Sequence, residues 1–315
     1  MQRKLFKSDL SLLLEKIMEL CDAEFFLENG FDYVSTIGRG TYGLIYQVYD
    51  HQYSQNFALK RVLETDFNEN EVKCMIEIRS NNIVPLYKYY RFKQFVYLLM
   101  EYCPLNIERS ILHSSKINLD KQYDISMGIA EAVCSCHKYC IAHGDIKPSN
   151  FLVDKYGRIK ICDFGLSKKT SPDQNCTTYN GTLLYAAPEV ISCQPYDAFA
   201  ADIWAMGVTI FYVFTGKHPF PDNDRQTMIH TIMNSIYDDS HISDMFIRQI
   251  IQRCLQVDPS LRPSAEVVAK TIRSQVENSS RKKFIRQTAS AKTSASLVLN
   301  SKLKRMASTK RISSM

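Results

Sequence analysis

Long apolar runs are scarce in this 315-residue chain. Uninterrupted ones, such as 95–100, fall far short of the roughly 18 residues that a spanning helix needs, which argues against a membrane protein. The N-terminus lacks the pattern of a secretory leader. Asp9 breaks the apolar stretch that follows Arg3, Lys4 and Lys7, Glu15 ends it, and no small-residue cleavage site follows. The ten cysteines lack the paired spacing of a zinc site or a disulfide scaffold. Their one cluster, Cys134, Cys136 and Cys140 around His137, falls on a predicted helix, where packing is the simpler account. Free thiols in a reducing, intracellular setting, cytoplasmic or nuclear, are therefore expected. No internal repeat is present. Acidic residues are missing from 278–315, which holds ten Lys or Arg.

That last absence explains the net charge of +6, which by itself suggests an anionic partner. Without those 38 residues, 29 basic face 33 acidic side chains, so the body is about −4. The segment 277–315 reads as a basic, disordered tail rich in Ser, Thr, Lys and Arg. Arg305-Met-Ala-Ser308 and Arg311-Ile-Ser313 look like sites for basic-directed phosphorylation. No nucleic-acid-binding module accompanies the tail, and no stable nucleic-acid or membrane partner is expected. Regulatory contacts through the tail are.

The body has 45% hydrophobic residues, enough for a large core and too many for a chain disordered throughout. An amphipathic stretch at 10–26 predicts a helix within an N-terminal extension, 1–30. Alternation and β-branched or aromatic content predict strands at 31–37, 45–49, 56–62, 84–90 and 94–100, with a helix over 68–78. Past Cys103-Pro104 the pattern turns helical, at 120–139, 199–215, 244–256 and 263–276. The expectation is an α+β chain with a small β-rich lobe, 31–103, and a larger helical lobe, 104–276. The N-terminal helix could pack on the small lobe or bind a partner.

The segment Gly38-Arg39-Gly40-Thr41-Tyr42-Gly43 is a weak signal alone. A dinucleotide-binding turn would lead into a helix, whereas Leu44 and Ile45 here open a strand. Strand, glycine loop and strand make a flap whose amides can approach phosphate, or a plain hairpin turn. Lys60 sits on the third strand, where a cation can hold phosphate oxygens if a carboxylate orients it. Glu71 is the best candidate partner, with Glu69 and Glu77 kept in view. Downstream come His143-Gly-Asp-Ile-Lys-Pro-Ser-Asn150, Asp163-Phe-Gly165, Gly181-Thr182-Leu-Leu-Tyr185-Ala-Ala-Pro-Glu189 and Asp202-Ile-Trp-Ala-Met-Gly207.

In this order and spacing the motifs resemble those of eukaryotic protein kinases of the serine/threonine type, over about 31–276. The resemblance implies the two-lobed kinase fold and transfer of the γ-phosphate of ATP to protein Ser or Thr hydroxyls. It implies Asp145 as the proton-accepting aspartate and Lys147 as the lysine that stabilises the transferred phosphate. Asn150 and Asp163 resemble the Mg2+ ligands, hard oxygen donors suited to that ion. Ile37 through Ile45 resemble the loop over the nucleotide, and Lys60 with Glu71 the ion pair that positions its phosphates. Glu101 and Cys103 would bond adenine through their backbones, with Met100 guarding the deeper pocket. Asp202 resembles the aspartate beneath the catalytic loop, and Glu189 with Arg262 the salt bridge of the helical lobe. Glu108 is a candidate to attract a basic residue upstream of the target. A scaffold that has lost catalysis usually lacks one of the residues resembled by Lys60, Asp145 and Asp163; all three are present.

The chain departs from the family at Gly144, where an arginine usually precedes the aspartate. That arginine pairs with a phosphorylated residue of the activation segment. Thr178 stands where the family often carries that phosphate, and Lys168 is one remaining cation that could meet it. Glycine also adds backbone freedom beside Asp145. Since the main phosphate partner is missing, Thr178→Ala is expected to keep its turnover within about a hundredfold of the unsubstituted chain, roughly 2.7 kcal/mol in barrier. A steady-state assay of both, unphosphorylated, checks this.

Overall fold

The computed structural model describes residues 18–40, 43–112, 117–171, 176–177, 181–221, 224–279 and 281. Thr41, Tyr42, Thr178 and the tail from 282 onward lie outside them.

The small lobe is built on one antiparallel sheet of β1 (Phe31–Gly40), β2 (Gly43–Asp50), β3 (Gln55–Leu63), β4 (Leu86–Phe92) and β5 (Phe95–Glu101). Their order across the sheet is β1-β2-β3-β5-β4. The central strands β3 and β5 are buried on both faces, which explains why their sequences read as near-continuous apolar runs. One face meets α2 (Glu69–Glu77), started by the Asn68 side chain accepting from Asn70 N. The other face meets a helix, α1, over 18–29. Of the two roles open to the N-terminal helix, the structure shows packing on the sheet. Cys21, Phe25 and Phe26 of α1 share a core with Phe31, Tyr46, Val48, Phe57, Leu59, Phe95, Tyr97 and Leu99. Phe25 stacks on Tyr97 with ring centroids 3.8 Å apart.

The chain leaves β5 through residues 102–104 and enters β6 (Leu105–Asn106) and α3 (Ile107–Leu112). The large lobe is then built around α4 (Leu119–Lys138) and α6 (Ala198–Thr215). Between these helices run β7 (Ile141–Ala142), β8 (Phe151–Val153), β9 (Ile159–Ile161), β10 (Lys168–Lys169) and a short α5 (Pro188–Ile191). The lobe closes with α7 (Arg225–Met233), α8 (Met245–Cys254) and a helix, α9, over 265–279. The short strands and α3, α5 and α7 are absent from the sequence-based expectation. Two- and three-residue strands carry no period, and α7 buries only Met228 and Ile232.

α6 is long and apolar enough by composition to cross a bilayer, yet 72% of its apolar window is buried inside the protein. Asp202, Gly207 and Thr209 interrupt its apolar runs, so run length alone understated it. It is the spine of the large-lobe core, with Trp204, Met206, Val208 and Ile210 fully enclosed.

Phe25 is 1% exposed and ringed by aromatics. Phe25→Ala is expected to lower stability by about 3–5 kcal/mol through lost transfer energy and the cavity left behind. Denaturant unfolding of the two proteins measures it.

Candidate active site

The glycine segment forms the end of the β1–β2 hairpin, with Gly40 paired to Gly43. It leads into a strand, as its sequence suggested. A Cβ at Gly43 would lie 1.7 Å from the Arg61 carbonyl oxygen, so no other residue fits between β2 and β3 there. Gly38, Leu44 and Ile45 pair across the hairpin, and Arg39 points to solvent.

Beneath this hairpin lies an apolar slot. Ala58, Met100 and Cys103 are buried in the core that joins the lobes, and Ile37, Ile45 and Leu152 pack against it half-exposed. Burial pushes the Cys103 thiol up to about 12, so it stays neutral. The Glu101 side chain turns onto buried Lys160, 2.9 Å away, and its backbone N–H donates to the Pro85 carbonyl at 3.2 Å. Ala58 and Leu152 were not singled out from sequence. A small residue on β3 and a leucine on β8 carry no signal until the lobes are brought together.

On the inner side of β3, Lys60 is 8% exposed. Its Nζ donates to Glu71 Oε1 at 2.7 Å and to Asp163 Oδ1 at 3.0 Å. Among the three candidate glutamates, Glu71 therefore meets Lys60. Glu69 pairs with Lys73 and Arg91, and Glu77 with Lys169. Burial opposes the charge on Lys60, but Asp163 and Glu71 outweigh it and raise its pKa above the ordinary lysine value. Burial likewise opposes ionisation of Asp163, and Lys60 outweighs it, holding that carboxyl below its usual range. By linkage, the Asp163 contribution to stability is present at neutral pH and is lost on acidification through its lowered pKa.

The loop after β7 carries the second cluster. Asp202, 2% exposed on α6, accepts from His143 N at 2.8 Å, Gly144 N at 3.0 Å and His137 Nε2 at 3.0 Å. His143 Nε2 donates to the Cys162 carbonyl at 3.1 Å, and its ring lies edge-on to buried Phe164. So fixed, the loop presents Asp145. Its Oδ2 is 2.7 Å from Lys147 Nζ and accepts from Asn150 Nδ2 at 3.0 Å. Its Oδ1 accepts from Thr182 Oγ1 at 3.1 Å, and Thr182 accepts from Lys147 at the same distance. Thr182 thus joins the site, a role that its place in the Gly181-Thr182 motif did not by itself reveal.

Asn150 spends its amide hydrogens on Asp145, through the backbone oxygen at 2.8 Å and through Oδ2. Its Oδ1 is left as a hard donor, and the Asp163 side chain is 43% exposed toward the cleft. Two oxygen donors, completed by water and phosphate oxygens, fit an octahedral divalent cation. Among the described residues no group of three or more His, Cys, Asp or Glu forms a dedicated protein cage.

Farther down, Arg262 holds Glu189 with two bonds, at 2.6 and 2.7 Å, and caps the Ala200 carbonyl at 2.9 Å. This bidentate pair ties the segment after Tyr185 to the end of the lobe.

Gly144 adopts φ +76°, and a Cβ there would lie 2.9 Å from the Leu166 carbonyl oxygen. The extra freedom expected of glycine is taken up by this fixed geometry and by the bond to Asp202. Beside it opens a cavity of about 270 Å³ lined by Asn70, Leu166, Lys168, Tyr185 and Ala201. Lys168 stands on its wall; whether it meets Thr178 falls outside the described residues.

Against known proteins, the family described as "Protein kinase domain" matches residues 31–272. Sperm motility kinase 2B of Mus musculus is 30% identical over 241 residues, which are 75% of this chain and 50% of that one. SNF-related serine/threonine-protein kinase of Homo sapiens is 33% identical over 251 residues, 76% of this chain and 32% of its own. Aurora kinase of Dictyostelium discoideum is 32% identical over 242 residues, 74% and 62% of the two chains. The chain thus spans from about a third to three-fifths of the length of these relatives.

Gly144→Ala is expected to cost about 1–3 kcal/mol, because a left-handed backbone and a carbonyl contact both oppose the added methyl. A lowered thermal midpoint with secondary structure retained is the outcome to measure.

Proposed function

The chain belongs to the protein kinase family, and from that premise we propose that it transfers the γ-phosphate of ATP to Ser and Thr hydroxyls of protein substrates. The observation that carries this reading is the bridge from Lys60 to both Glu71 and Asp163, facing a loop that holds Asp145 between Lys147, Asn150 and Thr182. This is an assembled arrangement, in which each group is oriented before any substrate arrives.

The apolar slot from Ile37 and Ile45 to Met100, Cys103 and Leu152 suits a purine, with backbone groups of Glu101 and Cys103 at its edge. Hairpin amides of 38–40 and Gly43 would lie over the phosphates, and Lys60 would hold their oxygens. Asn150 Oδ1 and Asp163 would bind Mg2+, which when bound neutralises charge on the phosphate oxygens. Asp145 accepts the proton of the attacking hydroxyl. Lys147 lies beside it to offset charge on the phosphoryl group in flight. Thr182 keeps both in place and is itself supplied by the segment that borders the substrate. The Lys147–Thr182–Asp145 arrangement, together with the serine/threonine kinases among the relatives, supports hydroxyls of Ser and Thr as the acceptors. The ten cysteines, all as free thiols, support an intracellular setting.

The test is transfer of labelled phosphate from ATP to a degenerate Ser/Thr peptide library. The unsubstituted chain should label peptides, whereas Lys60→Met and Asp163→Ala should each lose more than about a hundredfold in kcat/KM. Equal labelling by the variants and the parent would refute the reading.

A further inference from the structure

The strand that carries Lys60 is held from both sides. Lys60 and Arg61 are consecutive on β3, so their side chains leave opposite faces of the sheet. Lys60 goes to the cleft and meets Glu71 and Asp163. Arg61 goes to the back, where it is 4% exposed, and its Nη1 lies 2.5 Å from Asp22 Oδ2 on α1. Asp22 is as deeply buried and also accepts from Tyr46 on β2 at 2.6 Å and Tyr97 on β5 at 2.7 Å. Burial and the hydrogen bond to Asp22 raise both phenols above their usual pKa, so both remain donors at every physiological pH.

One carboxylate therefore gathers donors from β2, β3 and β5, which are adjacent in the sheet. The Arg61 guanidinium also lies 4.6 Å from the Phe95 ring centre. A buried guanidinium left without its partner is strongly destabilising, so β3 cannot shift away from α1 cheaply. Lys60 is one peptide unit from this anchor, and it must satisfy two carboxylates at once. A few tenths of an ångström in the height of β3 would weaken one of those bonds.

We propose that α1 is a positioning element of the phosphoryl-transfer centre, with Asp22 acting through Arg61 to fix β3 and the reach of Lys60. The inference rests on the nucleotide-holding role of Lys60 given above. It places part of the functional unit before residue 31, where the family match begins. Every recognisable motif lies after that point, yet the back of the sheet is completed by 18–29.

The experiment uses the full chain. ATP binding to the unsubstituted protein is measured first, by titration calorimetry with Mg2+ present; no binding would overturn both the nucleotide reading and this inference. Asp22→Asn keeps the shape and removes the charge. At a temperature well below its melting point, its KM for ATP should rise roughly tenfold, while the KM for peptide and kcat stay within about threefold. If Asp22→Asn does not fold, Arg61→Met serves instead, since Asp22 then still accepts from two tyrosines; the same split is expected. An unchanged KM for ATP in a folded variant overturns the role of α1 alone. So does an equal rise of the KM values for ATP and peptide, which would mark general damage.

Discussion

Lys60 reaches Glu71 and Asp163 at once, and much of the structure serves that triple contact. Lys60 belongs to the sheet, Glu71 to α2 and Asp163 to the large lobe, so one ammonium ties together three parts of the chain. Lys60 and Glu71 are buried, and a buried charge needs its partner. The lysine is raised and the aspartate lowered in pKa by the same attraction, and both stay ionised at neutral pH. The bond at 3.0 Å to a residue 103 positions away brings the two lobes to the same cleft.

The large lobe does comparable work for Asp145. Its anchor is Asp202, a carboxylate on the strongly apolar helix α6, occupied by two backbone amides and His137. A carboxylate so enclosed is tolerable only because its acceptor sites are filled. It turns the His143–Gly144 backbone into a rigid mount. Arg262 and Glu189 do the same for the segment that delivers Thr182. The site is thus a set of polar groups whose positions are fixed by buried charges on rigid elements.

Gly144 occupies a position whose left-handed backbone favours glycine. A Cβ there would lie 2.9 Å from the Leu166 carbonyl oxygen. Beside it is the cavity whose wall includes Leu166, Lys168 and Tyr185. On the same wall, Asn68 Nδ2 donates to the Gly165 carbonyl at 3.3 Å, tying the start of α2 to the Asp163-Phe164-Gly165 segment.

Much was legible from sequence. Alternation or β-branched and aromatic content marked the five sheet strands, and 3.6-residue periodicity marked α2, α4, α6, α8 and α9, with ends displaced by a few residues. Lys60, Asp145, Asn150 and Asp163 were found because motif spacing records chemistry that tolerates few residue types. What was not legible has a common cause: it depends on groups distant in sequence meeting in space. The choice of Glu71 over Glu69 and Glu77 depends on which face of α2 is buried. Leu152 and Ala58 become part of the slot only when the lobes close over it. The role of α1 turns on a single carboxylate meeting donors from three strands, 24 to 75 residues away. The sequence by itself determined the elements and the reactive side chains, because local periodicity and motif chemistry are written in neighbouring residues. Only the tertiary structure decided which carboxylate serves which cation and what backs the sheet, because burial and ion pairing are set by long-range packing.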